Sequence, residues 1–164
     1  MTHIVRYITT ADIQGFAEVL GSVIKEREYL LTIETPSIDD ISDFIHNTIE
    51  NDYAQYVAEV DGMIVGWADM IPRDKGSVQH TGVLGMGVAS DYRGRGIGGD
   101  LLGHVIEHAW QSGLSRLELE VLSSNHKAIA MYERHGFQHE GIKHNAWFVD
   151  GFFKDILIMA QYRV

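Results

Sequence analysis

Apolar side chains recur along the chain with two distinct periods, one typical of helices and one of strands. Helical spacing runs from Thr10 or Asp12 to about Arg27 and again from Ser37 to Asn51, which predicts two amphipathic helices. The same spacing predicts a third helix over Gly98 to Trp110. Ser124 or Asn125 begins a further helix that ends at Gly136, because these residue types favour helix starts and ends.

Short segments of strand type separate these helices. They are Ile4 to Ile8, Tyr56 to Val60, Met63 to Met70, Val83 to Val88, Arg116 to Val121, and one or more strands within Phe152 to Tyr162. Asp61-Gly62 lies between the second and third strands and is a strong hairpin signal. The order β-α-α-β-β-β-α-β-α-β predicts a mixed α/β domain with helices on both faces of the sheet.

Composition narrows the class of protein. The 164 residues fit one domain over 1–164. A formal net charge of −10 argues against a nucleic-acid partner and suits a cationic substrate such as an amine. Because the chain has no cysteine, a cysteine nucleophile and a thiolate zinc site are excluded, and we expect no metal. With no signal peptide and no membrane-length apolar run, we expect a cytoplasmic protein without membrane contact.

The turn after the strand that ends at Val88 carries the clearest chemistry in the sequence. It reads Arg93-Gly94-Arg95-Gly96-Ile97-Gly98-Gly99 and leads directly into a helix. Glycines allow the backbone to approach a ligand closely, and a helix N-terminus offers unpaired N–H donors to an anion. Two arginines add groups suited to phosphate oxygens. The turn therefore predicts a pyrophosphate site.

Two common nucleotide motifs fit this turn poorly. A P-loop requires lysine followed by serine or threonine at the helix start, but the turn continues into Asp100. A dinucleotide fold requires Gly-x-Gly-x-x-Gly and a later acidic residue, which Gly94, Gly96 and Gly99 with Glu118 or Glu120 would satisfy. That match is weak in a chain with 17 glycines, and the motif usually opens its fold.

A longer pattern is more specific. Arg93-x-x-Gly96-x-Gly98 is followed by Asn125-x-x-Ala128-x-x-x-Tyr132-x-x-x-Gly136-Phe137. Together they resemble the acyl-CoA signature of the GNAT family of N-acetyltransferases, and the resemblance covers essentially the whole chain. The segment from Val149 to Ala160 is similar to the end of bacterial members that acetylate amino acids and related small amines. The resemblance implies a mixed sheet of six to seven strands with a splayed strand pair.

The resemblance also implies which residues bind acetyl-CoA. The turn would hold the pyrophosphate, and the backbone of the preceding strand would pair with the pantetheine arm. The implied set is Met86, Gly87, Val88, Arg93, Gly94, Arg95, Gly96, Ile97, Gly98, Gly99, Asn125, Ala128 and Tyr132. For Lys127 and Arg134 two alternatives remain: they contact the nucleotide phosphates, or they lie on a solvated helix face.

For Asn125 and Tyr132, an ordinary structural role is the alternative to a functional one. Asn125 would bond the pantetheine arm or simply cap its helix. Tyr132 lies two helical turns further on and would protonate the departing thiolate as the catalytic acid, or be a packed core tyrosine.

The sequence says less about the residues that bind the acceptor amine than about those that bind acetyl-CoA. Many relatives carry a carboxylate on the strand before the glycine turn, but Met86, Leu84, Gly82 and His80 offer no acid on that face. His80, Glu120, Asp69 and Glu34, or a chain of waters, remain open as the general base. Glu28, Glu34 and His80 are candidates for contacting the substrate, and the two glutamates would hold its ammonium. A protein N-terminus is the alternative acceptor, and a non-catalytic CoA-binding regulatory domain is the alternative to an enzyme. The terminal strand is a candidate edge for a homodimer.

Overall fold

A seven-stranded β-sheet with helices on both faces organises residues 2–163, the part of the chain that the computed structural model describes. The strands are β1 (Ile4–Tyr7), β2 (Ala54–Val60), β3 (Met63–Pro72), β4 (Thr81–Val88), β5 (Arg116–Leu122), β6 (Gln138–Val149) and β7 (Phe152–Tyr162). The helices are α1 (Ile13–Lys25), α2 (Ile38–Glu50), α3 (Ile97–Gln111) and α4 (His126–Arg134). The mixed α/β architecture predicted from the sequence is confirmed.

The sheet opens between β4 and β5. Its order is β1-β2-β3-β4-β5-β7-β6, and β4 with β5 form the parallel pair among antiparallel neighbours. These two strands pair only from Thr81 with Arg116 to Val83 with Glu118. Since β4 stays paired with β3 as far as Val88, its other edge is free from Leu84 onward. We call the gap between 84–88 and 119–122 the wedge.

Each face of the sheet has its own hydrophobic core. On one face, α1 and α2 cover a cluster that includes Phe16, Ile45, Val57 and Trp67. On the other face, α3 covers a larger cluster that also takes up Tyr132 and Phe137 from the α4 region. The wedge therefore lies between two packed layers that hold its strands in place.

Aspartate–glycine pairs form two of the tight turns. Asp61 and Gly62 have φ values of 49° and 80°, which suits a two-residue hairpin and confirms the predicted turn between β2 and β3. Asp150 and Gly151 have φ values of 53° and 84° and join β6 to β7 in the same way. The second pair is a turn signal that our sequence interpretation did not use.

The end of the chain differs from the sequence prediction in two respects. The prediction missed β6, because most of its side chains are exposed and lack the apolar alternation of a half-buried strand. The terminal strand, expected at an edge, lies between β5 and β6 instead. The edges of the sheet are β1 and β6. Within residues 2–163, no helix has the length and apolar character needed to span a membrane.

Candidate active site

The glycine turn presents bare backbone to solvent at the start of α3. Gly94 and Gly96 have φ values of +75° and +83°, a conformation that side chains disfavour, and a Cβ on either would meet no atom within 4 Å. Gly96 is the residue before α3, and no side chain caps the helix. The first-turn N–H groups of Ile97, Gly98 and Gly99 therefore point to open space, where an anion would be favoured.

The first turn of α3 meets β4 and α4 at Gly98. A Cβ built there would lie 3.3 Å from Met131 Sδ and 3.7 Å from Met86 Cε. A larger side chain would push α4 away from the turn. The small residue thus lets the glycine turn, the wedge strand and the helix that carries Tyr132 pack against one another.

Arg93 holds the glycine turn to the rest of the fold. Its guanidinium donates to both carboxylate oxygens of Glu26, at 2.8 and 2.6 Å, and to the carbonyl of Val88 at 2.8 Å. The guanidinium also lies over the ring of Tyr29, 4.7 Å from its centre. Arg95, in contrast, is exposed and makes one hydrogen bond, to the carbonyl of Asp91.

Asn125 is the residue before α4, and Tyr132 lies in the second half of that helix. Asn125 Oδ1 caps the helix by accepting from Ala128 N–H at 3.3 Å. Tyr132 is 7% exposed, and its ring packs edge-on against Phe137. Burial alone raises the pKa of its phenol above the usual range, so the group is a protonated donor at any physiological pH.

The part of β4 that borders the wedge packs its side chains into the core and also has a free backbone edge. The side chains of Leu84, Met86 and Val88 pack into the core beneath α3, while their backbone edge toward β5 is free. On the opposite face, Gly87 has no space for a side chain, since a Cβ there would lie 2.5 Å from the indole of Trp67. The strand can therefore offer backbone hydrogen bonds to an extended ligand without unpacking the core.

Across the wedge lies a cavity of about 400 Å³. Its walls are mostly apolar, and it contains an ion pair between Glu120 on β5 and Lys143 on β6. The lining residues are Leu31, Ile33, Glu120, Lys143, Ala146, Trp147, Phe148, Val149 and Ile156. Trp147 Nε1 donates to the carbonyl of Leu30 at 3.2 Å, which ties the loop after α1 to the cavity wall.

The residues predicted from sequence for the acceptor side are exposed and lie in two separate places. Glu28 and Glu34 are exposed in the loop between α1 and α2, whose Leu31 and Ile33 line the cavity instead. His80 is exposed just before β4, at the paired end of the β4–β5 pair. Lys143 and Trp147 were missed because they lie on β6, which carries no strand pattern.

The geometry and the sequence comparisons agree. Residues 23–137 match the acetyltransferase (GNAT) family, and the chain belongs to that family. The seven-stranded mixed sheet is the GNAT fold, and the protein is a GNAT-type N-acetyltransferase that uses acetyl-CoA. In residues 2–163, no three or more histidine, aspartate or glutamate side chains cluster in a way that could hold a metal ion.

Relatives of different substrate classes are similar to this chain. A Bacillus subtilis (strain 168) protein, provisionally named a ribosomal protein bS18-alanine N-acetyltransferase, is 34% identical over 87% of this chain and 93% of its own. The L-amino acid N-acetyltransferase AaaT of Escherichia coli K12 is 25% identical over 98% of both chains. The crystal structure of a phosphinothricin acetyltransferase from Sinorhizobium meliloti with acetyl-CoA shares the fold, with a TM-score of 0.92 and 20% identity over 99% of this chain and 89% of that one.

Proposed function

We propose that residues 1–164 form one N-acetyltransferase domain that acetylates the primary amine of a small α-amino acid or a close analogue. The observation that carries this proposal is the Glu120–Lys143 pair inside the apolar cavity beside the wedge. An amino acid carries an ammonium and a carboxylate on one carbon. The carboxylate of Glu120 on β5 and the ammonium of Lys143 on β6, which flank β7, complement that arrangement.

The size and lining of the cavity narrow the acceptor further. A volume of about 400 Å³ accommodates a single amino acid. Leu31, Ile33 and Trp147 provide an apolar surface for its side chain. We therefore favour an amino acid with an apolar or aromatic side chain over a polyamine or a charged amino acid.

The residues around the wedge fit acetyl-CoA. The open N–H groups of Ile97, Gly98 and Gly99 suit the pyrophosphate, with Gly94, Arg95 and Gly96 shaping the turn and Arg93 anchoring it. The free edge of Met86, Gly87 and Val88 suits the pantetheine amides, with Asn125 and Ala128 facing from the start of α4. Acetyl-CoA supplies the thioester that the amine attacks directly, and Tyr132 then gives its proton to the leaving sulfur.

A protein N-terminus is the second candidate acceptor. It is favoured by the Bacillus relative, whose provisional name assigns it an alanine of ribosomal protein bS18. A peptide N-terminus has an ammonium but no neighbouring carboxylate. Glu120 would then be used and Lys143 would have no partner on the substrate.

A thiol-release assay with three matched acceptors distinguishes a free amino acid from a protein N-terminus as the substrate. We expect the purified protein with acetyl-CoA to release CoA thiol fastest with a free apolar amino acid. The same amino acid as its amide, and as the N-terminal residue of a short peptide, should react at least ~10-fold more slowly, because a lost charge-assisted hydrogen bond costs about 1.5–3 kcal/mol. Faster reaction with the peptide than with the free amino acid would reverse the assignment.

The assembly and location of the protein are also proposals. We propose a cytoplasmic homodimer that contacts neither nucleic acid nor membrane, consistent with the negative charge and the absence of cysteine. Edge strand β6 supports the dimer, since exposed Ile142 and Phe148 lie along it beside Phe152 and Phe153 of β7. Light scattering on the purified chain should give twice the monomer mass, and Phe148→Ser should shift it toward the monomer.

A further inference from the structure

Asp69 is a buried carboxylate that the activity described above leaves without a function. It lies near the end of β3, on the sheet face covered by α1 and α2, two residues beyond Trp67. It is 9% exposed, so it is nearly but not completely closed to solvent. Its cross-strand partners are Gln55 on β2 and Gly85 on β4.

The carboxylate of Asp69 lies over the neighbouring strand, β4. A Cβ built on Gly85 would lie 3.0 Å from Asp69 Oδ1. Asp69 thus reaches sideways over β4 and fills the position that a side chain of residue 85 would take. Gly85 follows the last β4–β5 pair, at Val83, by only two residues. The carboxylate therefore stands at the point where the wedge opens.

Other acids on this sheet face are already neutralised by cations. Glu118 is bound to Arg73 and Glu120 to Lys143. None of the ion pairs within residues 2–163 includes Asp69. The titratable side chains of α1 and α2, which pack over this face, are all exposed. Asp69 is therefore the acid on this face that is available to a new cation or proton.

The neighbour of Asp69 on β2 is also incompletely bonded. Gln55 is fully buried, and neither its side-chain oxygen nor its nitrogen has a hydrogen-bond partner within residues 2–163. Directly opposed side chains in an antiparallel pair have Cβ atoms about 5 Å apart. The carboxylate of Asp69 accepts a hydrogen bond from the backbone of Gly85 but has no cation partner. A partnerless amide beside a carboxylate without a cation leaves polar groups available to a ligand.

We propose that Asp69 accepts the proton of the acceptor ammonium, as a general base that reaches the wedge from β3 in place of a β4 side chain. The proposal rests on the proposed function. It also accounts for the glycine at position 85, since a side chain there would crowd Asp69. Burial raises the pKa of Asp69 to about 7, which suits proton exchange with an amine near neutral pH.

The proton balance of the reaction is simple. The ammonium gives one proton to Asp69, which later releases it to solvent. The freed amine forms the C–N bond to the acetyl carbon while the C–S bond breaks, and the sulfur takes a proton from Tyr132. The amide nitrogen then loses its second proton, which restores the phenol through solvent. No oxidant or reductant is required.

The test compares Asp69→Asn with the wild type and with Asp43→Asn, a control that makes the same change at an exposed acid of α2. At pH 7 we expect Asp69→Asn to lower kcat at least ~100-fold, as expected for loss of a general base. In the wild type, kcat/KM should rise as the pH increases through about 7, and this rise should be absent from Asp69→Asn. Asp43→Asn should keep both the rate and the pH dependence of the wild type. Unchanged kcat and pH profile in Asp69→Asn would overturn the proposal.

A second measurement needs neither acetyl-CoA nor an acceptor. Carbon-13 NMR of the aspartate carboxyl groups in the wild-type protein should show one resonance with a midpoint between about pH 6 and 8, absent from Asp69→Asn. If every aspartate titrates below pH 5, Asp69 is not the base. A wild-type protein that releases no thiol with any amine would overturn the proposed function instead, a result distinct from an active Asp69→Asn enzyme.

Discussion

Arg93 and Glu26 are joined by two hydrogen bonds, with nitrogen–oxygen distances of 2.8 and 2.6 Å. Arg93 belongs to the glycine turn, and Glu26 follows the last residue of α1. The loop that begins at Glu26 also provides Leu31 and Ile33 to the acceptor cavity. The pair therefore links the turn proposed to bind acetyl-CoA to the loop that lines the proposed acceptor cavity.

We predict that Glu26→Gln and Arg93→Gln each weaken acetyl-CoA binding by ~3- to 10-fold. The estimate is small because both side chains are partly exposed, where such a pair contributes about 1 kcal/mol. Isothermal titration should show that the double variant is no worse than the weaker-binding single variant. A loss in Arg93→Gln that greatly exceeds the loss in Glu26→Gln would instead show that Arg93 contacts the pyrophosphate itself.

The phenol of Tyr132 is expected to act in the chemical step and not in binding. Tyr132→Phe should lower kcat by ~100-fold or more, since it removes a proton donor and keeps the ring that packs against Phe137. Acetyl-CoA should still raise Tm by about the same amount in both proteins. A near-normal kcat at saturating acetyl-CoA would show that another group protonates the sulfur.

The glycines of the turn and of α3 allow a matched comparison. Gly96→Ala should cost about 1 kcal/mol of stability and weaken acetyl-CoA binding, because its φ of +83° is unfavourable for a side chain. Gly103→Ala, at an exposed α3 position with no atom within 4 Å, should raise stability by about 0.5–1 kcal/mol. Chemical denaturation and acetyl-CoA titration measure both effects. Equal binding by the two variants would contradict a backbone-defined anion site.

Lys143 is expected to determine selectivity and not rate. Lys143→Gln should lower kcat/KM for a free apolar amino acid by ~10-fold or more, the cost of losing a charge-assisted contact to the carboxylate. The same variant should react with the amino acid amide much as the wild type does. An equal loss of kcat/KM with both acceptors would mean that Lys143 only pairs with Glu120 and does not contact the substrate carboxylate.

Local patterns were sufficient for most elements of the fold. The helices around Ile13, Ile41 and Leu101 followed from apolar spacing, and the β2–β3 hairpin followed from Asp61-Gly62. The exception was β6, whose exposed side chains carry no periodic signal. Its position at the sheet edge is set by pairing with β7, which is a long-range contact.

The proposed donor site could be predicted from sequence because its chemistry depends on backbone geometry over a few consecutive residues. Glycines, a helix start and the spacing from Asn125 to Tyr132 are all local features. The proposed acceptor site, in contrast, can be recognised only in the tertiary structure. Asp69, Glu120 and Lys143 lie on three strands far apart in the chain, and the sheet brings them to one face. Whether each acid is paired or left free depends on which cation the fold places beside it, and no local pattern encodes that.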